Sequence, residues 1–552
     1  PAPMVLHTRG RVGSRRFFEG AFRIRRVYGT LFVYVHFINY SESFYPCYIF
    51  FVILCINIHI ICKMKCHYSF QLLLLFLFFT FASSANGKIL NRDYIDIERK
   101  ARRLKKAILR AKSDYTINGA VYYVSSDGDD ANTGTDIEHP FKSLDKVNSL
   151  NLHSGDVVLF KRGDMWRGCI HTKAGVTYSA YGKGDKPILN GSPFNAAVSG
   201  TWVETSVRHV YAYSEPIVLD VAVLVFNDGE ETAFKVMKRL SDDRSTTLHI
   251  DLDEKFTSFA DLRRDLDFWH EPDNGVVYLC SHHGNPSERF KSIEMPVRRH
   301  GFYATDDVTI DNFCIKYVGS HGIGSGTTRS LVVRNCELGW IGGSIQFYGD
   351  RQPTRYGNGI EIYGGCGRYV IDHCYVYQCY DAGITHQISA VGNEEVLMQN
   401  ITYSNNLIED CVYAIEYFVG SAENGANRRM QNVLFTDNIL RRAGYGFGNQ
   451  RPDKMTPALI KNWGHYNKAS NFRIVRNVFD RSKPHSLHIS ADKPEWLPKL
   501  QDNVHILLKG TDALLGSPEK TYPVDENYGN LMRTLFDEEG GRYIFVDEDD
   551  IP

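Results

Sequence analysis

The sequence predicts an all-β fold, a parallel solenoid, on three observations. A short strand unit recurs: "GSIQFYG" at 343–349, "NGIEIYGG" at 358–365, "CYDAGITHQ" at 379–387, "YAIEYFVG" at 413–420 and "GYGFGNQ" at 444–450. Aligning the stretches around these units places Asn312, Asn335, His373, Asn406, Asn438 and Asn477 at equivalent corners. Successive corners are 23, 38, 33, 32 and 39 residues apart, which reads as a base coil of roughly 22–25 residues with loops of varied length. No helical pattern interrupts these repeats. Several short strands per repeat, each buried only by stacking on its neighbours, is the arrangement a solenoid requires.

The remaining segments are read in chain order. Residues 1–63 are rich in Arg, Tyr, Phe and Ile, and the apolar run 45–62 is long enough to span a bilayer. Met64 and Lys65, an apolar run from Leu72 to Phe81 and the small residues Ser83-Ser84-Ala85 have the layout of a secretory signal peptide over 64–85. Residues 1–63 are therefore read as a non-native upstream segment, with a membrane anchor at 45–62 as the alternative. Secretion is expected, or else membrane anchorage through that run.

Residues 86–120 form a basic entry segment. Its helix over 89–112 has apolar spacing at Ile97, Ala101, Leu104 and Ile108, and is expected to be solvated or lightly docked. Short strands over 121–196 begin the solenoid. Longer charged stretches over 197–300 read as an inserted subdomain with a helix near 257–265. The main coils occupy 301–492, and 493–552 reads as a C-terminal cap and acidic tail.

Composition narrows the functional classes. The chain has 63 basic and 64 acidic side chains, and residues 1–63 hold eight of the former and two of the latter. The remainder has 55 against 62, a net of −7, which gives no electrostatic reason to expect nucleic acid. A monomer is expected. Eight cysteines follow residue 85, and no CxxC pair points to structural zinc. Cys336 with Cys374, and Cys379 with Cys411, should stack on neighbouring coils, as an apolar ladder or as disulfides. The loop 127–138 has Asn132 where a calcium loop needs its sharp-turn glycine, so turn formation is the better reading.

"YYVSSDGDDANTGT", "GDVVLFKRGDMWRG", "AYGKGDKPILNG" and the coils from 308 to 490 resemble the right-handed parallel β-helix proteins of the pectate-lyase-like superfamily. The resemblance implies a right-handed parallel β-helix with an inserted subdomain and a short N-terminal helix. It also implies a place among polysaccharide lyases, glycoside hydrolases, epimerases and non-catalytic adhesins. Fold alone does not choose among these.

Strand alternation supplies candidate chemistry. With Ile345, Ile360, Ile384, Ile415, Phe447 and Leu487 inward, an outward row follows: Gln346, Glu361, Thr385, Glu416, Gly448 and His488. Glu361 and Glu416 fall two rungs apart, roughly 9–10 Å between backbones, with Asp381 at the turn into the rung between. Converging carboxylates are what glycosidic hydrolysis needs, one as proton donor and one as base or nucleophile. Glu361, Asp381 and Glu416 are therefore the catalytic candidates, against the plain alternatives of solvated glutamates and a turn-capping aspartate.

Gln346, Tyr348, Arg351, Arg355, Tyr363, Gln387, Gln450 and His488 are candidates for binding a polysaccharide or oligosaccharide. His386 should point inward as a hydrogen-bonded core histidine. The arginines raise a second reading, a uronic-acid lyase, whose relatives often hold calcium with clustered acids. Against it, no metal-spaced acid cluster is evident and the predicted row has no lysine. A non-catalytic carbohydrate-binding or surface structural protein is the third. The hydrolase is favoured, with no cofactor and no metal expected.

Overall fold

The computed structural model describes the strands 21–27 and 30–36 and residues 92–237, 256–348, 353–389, 391–451 and 456–548. The expected signal peptide, the run 45–62 and Arg351 lie outside the described residues. The chain divides into two compact units, Pro1–Ile89 and Leu90–Pro552. In the first, Ala21–Val27 pairs antiparallel with Thr30–His36.

The second unit is built on three ten-stranded sheets. Sheet A runs from Ile170–His171 to Lys520–Pro523, sheet B from Val121–Val124 to Lys499–Gln501, and sheet C from Met165–Arg167 to Arg542–Val546. Every pairing in B and C is parallel, and in A only the last pairing is antiparallel. One coil visits B, C and A in turn, as in Val308–Asp311, Cys314–Val318 and Ile323–Ser325. With right-handed crossovers this is a right-handed parallel β-helix. Ile323, Ile360, Ile384, Ile415, Ile460 and Leu487 are fully buried on the inner face of sheet A; burying each such side chain contributes about 1.5–3 kcal/mol.

A single residue turns each B strand into its C strand. Asn312, Asn335, His373, Asn405, Asp437, Arg476 and Asp502 hold this corner with φ between 50° and 67°, the left-handed region that Asn and Asp tolerate best. The next position carries Phe313, Cys336, Cys374, Asn406, Asn438, Asn477 and Asn503. The predicted corner set therefore mixes two adjacent positions: Asn312, Asn335 and His373 belong to the first, Asn406, Asn438 and Asn477 to the second. At the second position the amides form a buried ladder. Asn406 Nδ2 donates to Asn438 Oδ1 at 2.9 Å, Asn438 to Asn477 at 2.9 Å and Asn477 to Asn503 at 3.2 Å. Each also donates to a backbone carbonyl, so the polar groups buried there are paired.

Two predicted rungs lie elsewhere. Ile345–Tyr348 forms an antiparallel ribbon with Pro353–Arg355 outside the coils, and Phe447–Gln450 is a 3₁₀ turn. Their places in sheet A are taken by Ile323–Ser325 and Ala458–Asn462. Rungs also continue past 492, with Lys499–Gln501, Val504–Leu508, Asp512–Gly516 and Arg542–Val546 joining the three sheets. Tyr528–Phe536 then closes this end, burying Tyr528, Met532 and Phe536.

The helix Arg92–Leu109 is docked, not solvated. Its Tyr94, Ile97, Ala101 and Ile108 are buried in one cluster with Leu407, Ile439, Val478 and Ile506 of sheet C. The insertion has a five-stranded and a three-stranded sheet around Trp202, Phe226, Phe268 and Ile293. Where a helix is expected near 257–265 there is only the 3₁₀ turn Phe259–Asp261, held by a capping box from Ser258. Arg167 grips Glu294 bidentately at 2.8 and 2.9 Å, tying the insertion to the coils. All eight described cysteines are free thiols.

Candidate active site

Parallel pairing sets the outer row of sheet A residue by residue. Tyr303, Gly324, Glu361, Thr385, Glu416, Lys461 and His488 lie in register on successive strands, about 4.8 Å apart. Glu361, Thr385, Glu416 and His488 stand where alternation places them. Gln346 and Gly448 do not, because their segments are not rungs, and Lys461 enters the row unannounced.

Glu416 is buried at 3% exposure. Its Oε2 accepts from Gln387 Nε2 at 2.9 Å and its Oε1 accepts a short bond from the Trp463 indole N–H. Burial pushes its pKa up to about 8, helped by the Asp381 charge and opposed by the bonds from Trp463 and Thr385. Burial thus favours its protonated form.

Asp381, at the turn into Ala382–Ile388, is ion-paired with Arg451, Oδ1 to Nη1 at 2.6 Å. The Arg451 guanidinium itself lies 5.7 Å from both the Tyr380 and Tyr413 ring centroids. Glu361 accepts a short bond from Asn358 Nδ2 and lies 3.3 Å from His321 Nδ1. Burial raises it to about 7, against the pull of the Asn358 bond. His321 Nδ1 accepts the Asn358 backbone N–H at 3.0 Å, and burial depresses the ring to about 4, so the imidazole is neutral. Tyr356 is near enough that Glu361, Tyr363 and Asp381 all raise its pKa, after burial itself.

The three acids are thus brought together, with unlike surroundings: one buried acid bonded by Trp463 and Gln387, one clamped by arginine, and one beside a neutral imidazole. Carboxyls pushed apart in this way can divide acid and base roles.

The binding candidates separate into two sets. Tyr363, 48% exposed, and Gln387 lie on the outer face beside the acids, in register with Phe418. His488 is buried, with Nδ1 2.5 Å from Lys461 Nζ and Nε2 2.6 Å from Glu519; burial and the Lys461 charge lower it to about 4. Arg355 is buried against the Tyr380 ring and donates to the Gly343 and Ala222 carbonyls, so it serves the fold and not a ligand. Gln450 exchanges bonds with Ala233 O and Lys235 N of the insertion. It lines a cavity of about 470 Å³ that includes none of the three acids. Gln346 is engaged by Ser344 and Ser320 in the ribbon; Tyr348 ends that ribbon, and its side chain is outside the described residues. His386 is a core residue, hydrogen-bonded to Tyr403 Oη at 2.8 Å.

Asn358, His321, Arg451, Lys461 and Trp463 are the site residues sequence reasoning missed. Lys461 and Trp463 were hidden because "GYGFGNQ" resembles the rung that 458–462 fills. His321 and Arg451 lie in connections with no periodicity to place them. Among the described residues no group of three His, Cys, Asp or Glu side chains is placed to hold a metal ion.

No family model matches the chain. Over 439 residues it is 25% identical to lacto-N-biosidase of Bifidobacterium longum subsp. longum, covering 66% of this chain and 26% of that protein. The chain therefore spans about a quarter of the length of that curated relative. Among solved structures, XylC with xylose aligns with a TM-score of 0.40 at 12% identity, covering 77% of this chain and 75% of the other. The GH136 lacto-N-biosidase from Eubacterium ramulus aligns with a TM-score of 0.35 at 14% identity, covering 78% and 68%.

Proposed function

We propose that the protein is a glycoside hydrolase acting on an oligosaccharide or polysaccharide bound along the outer face of sheet A. The observation that carries this is Glu416, a buried carboxyl held by Trp463 and Gln387 on the rung next to an arginine-clamped aspartate. Glu416 protonates the departing glycosidic oxygen. Asp381 acts as the second carboxylate, attacking the anomeric carbon or activating water. Arg451 keeps Asp381 oriented through a charge-assisted bond, and Trp463 and Gln387 fix the two Glu416 oxygens. Glu361 stands two rungs away and tunes the pair electrostatically. The similarity to lacto-N-biosidase supports hydrolysis as the reaction class. Export through the segment 64–85 belongs to the same proposal.

The row does hold a lysine, contrary to the sequence expectation, but Lys461 Nζ is bonded to His488 and lies over the Trp463 ring at 4.3 Å. It is thereby less suited to abstract a proton from a uronic acid. Reaction type is tested by following new reducing ends together with the absorbance of unsaturated sugars, on neutral and uronic-acid glycans. Reducing ends without the absorbance are expected; unsaturated products would replace the hydrolase with a lyase.

A further inference from the structure

The helix Arg92–Leu109 spends one face on sheet C, and the opposite face has no part in the fold or in the acid–base chemistry. Residues 99–112 hold eight Lys and Arg and no Asp or Glu, in a chain whose part beyond residue 63 has a net of −7. At 3.6 residues per turn, the buried Tyr94, Ile97, Ala101 and Ile108 mark one side of the helix. Arg99, Arg103, Lys106 and Arg110 fall on the side opposite, and all four are exposed. The Arg110 N–H bonds to the Lys106 carbonyl at 3.2 Å, which keeps Arg110 on the helical path. The row is about 16 Å long at 1.5 Å per residue.

The protein does not neutralise these charges itself. Arg99 meets Asp96 at 3.1 Å, but both are well exposed, so the pair is worth little in water. Among the described residues Arg103, Lys106 and Arg110 form no ion pair, and neither do Lys100 and Arg102 beside them. Lys105 differs, turning inward over the Tyr375 ring at 4.1 Å from its centroid. Acids of the nearby coils are already engaged, Asp410 by Arg442 and Asp437 by Arg476, each at 2.7 Å. Like charges three and four residues apart destabilise a helix. A row that opposes its own helix, on a face held still by docking, calls for a partner that supplies the counter-charges. An anionic membrane suits it poorly. A helix lying in an interface buries an apolar face there, and the apolar face of this one is against sheet C.

We infer that the outward face of this helix is a docking surface for an acidic polysaccharide, one with carboxylates on successive sugars. Arg99, Arg103, Lys106 and Arg110, about one turn apart, donate charge-assisted hydrogen bonds to those carboxylates. The choice of a carbohydrate among polyanions rests on the proposed hydrolysis. The acids stand on sheet A and the helix covers sheet C, so a polymer held here leaves the acids open and raises the local concentration of glycan.

The test uses the full chain, the triple variant Arg103→Gln, Lys106→Gln, Arg110→Gln, and the charge-keeping pair Arg103→Lys, Arg110→Lys. Glutamine and lysine are both good helix formers, and unfolding midpoints equal to wild type establish that the variants fold. Binding is measured to polygalacturonate, its methyl ester, duplex DNA and phosphatidylserine vesicles, at low and raised salt. Wild type is expected to bind polygalacturonate and not the ester, with affinity falling as salt rises. The triple variant should bind about tenfold or more weakly, and the lysine pair about as wild type. Reducing-end release from short neutral oligosaccharides should be the same in all three. No binding by wild type, or binding that survives esterification or the triple variant, would overturn the surface and leave the hydrolase standing. Tighter binding per negative charge to DNA or vesicles would overturn the polysaccharide as occupant. Binding with the expected losses, without cleavage of any glycan, would support the surface and overturn the hydrolase.

Discussion

Glu416 and Asp381 make a pH dependence that can be worked out in sign. Hydrolysis needs Glu416 protonated, so activity should fall as pH rises through about 8. It needs Asp381 ionised, so activity should also fall in acid, giving a bell whose alkaline limb belongs to Glu416. The same groups act on stability. Glu416 binds its proton more tightly folded than unfolded, and so does Glu361. Between the ordinary carboxylate range and about 8 the folded state therefore holds more protons, and stability declines as pH rises through that window. Glu416→Gln should flatten the decline in melting temperature across it; an unchanged slope would show that the carboxyl is not protonated in the fold. At this scale the sequence was legible wherever alternation within a true strand fixed a direction, as for Glu361, Glu416 and His386. It was not legible for Arg355, whose burial depends on Tyr380 and the insertion, or for Arg451 and His321, which reach the site from connections.

Among the elements, the asparagine ladder and the helix Arg92–Leu109 carry the clearest energetic expectations. Asn438 donates to Asn477 and to the Tyr403 carbonyl while accepting from Asn406. Asn438→Ala strands several buried partners at once and should cost about 1–3 kcal/mol for each group left unpaired, read as a lower denaturant midpoint. A neutral result would mean that water replaces the amide. Ile108 is fully buried where the helix meets sheet C, so Ile108→Ala should cost about 2–5 kcal/mol; a surface-like loss below about 0.5 kcal/mol would mean that the helix is not docked in solution. Rungs were readable because each repeats an inward Ile or Leu followed by a polar residue. The readings failed at "GSIQFYG" and "GYGFGNQ", where glycine-flanked hydrophobics mimic a rung but form a ribbon and a 3₁₀ turn. The ladder's register slipped by one because Asn suits both the left-handed corner and the buried position after it. The helix was visible from its apolar spacing, but the sheet face that receives it was not.

Across the whole molecule the β-helix supplies a rigid, uniformly spaced row of outward side chains, and the insertion and connecting segments supply what alternation cannot. Arg167–Glu294 and the contact of Asp220 with Lys235 and the Ile345 N–H fasten the insertion to the coils and to the ribbon near the site. Asp220 is lowered to about 2 despite burial because Lys235 and His270 stabilise its charge. Asp220→Ala leaves Lys235 buried without its counter-charge and should cost about 3–5 kcal/mol, with loss of a defined insertion seen by proteolysis. A protease pattern and a stability equal to wild type would show that the latch is dispensable. The β-helix was legible from repetition alone, whereas the latch, joining residues far apart in the chain, was not. The proposed mechanism divides the work between Glu416 and Asp381. Its most direct test is reducing-end release by wild type, Glu416→Gln and Asp381→Asn on one cleavable glycan, with each variant's unfolding midpoint recorded. Folded variants with rates lowered by about 10²-fold or more in each are expected. Folded variants that cleave at the wild-type rate would contradict it.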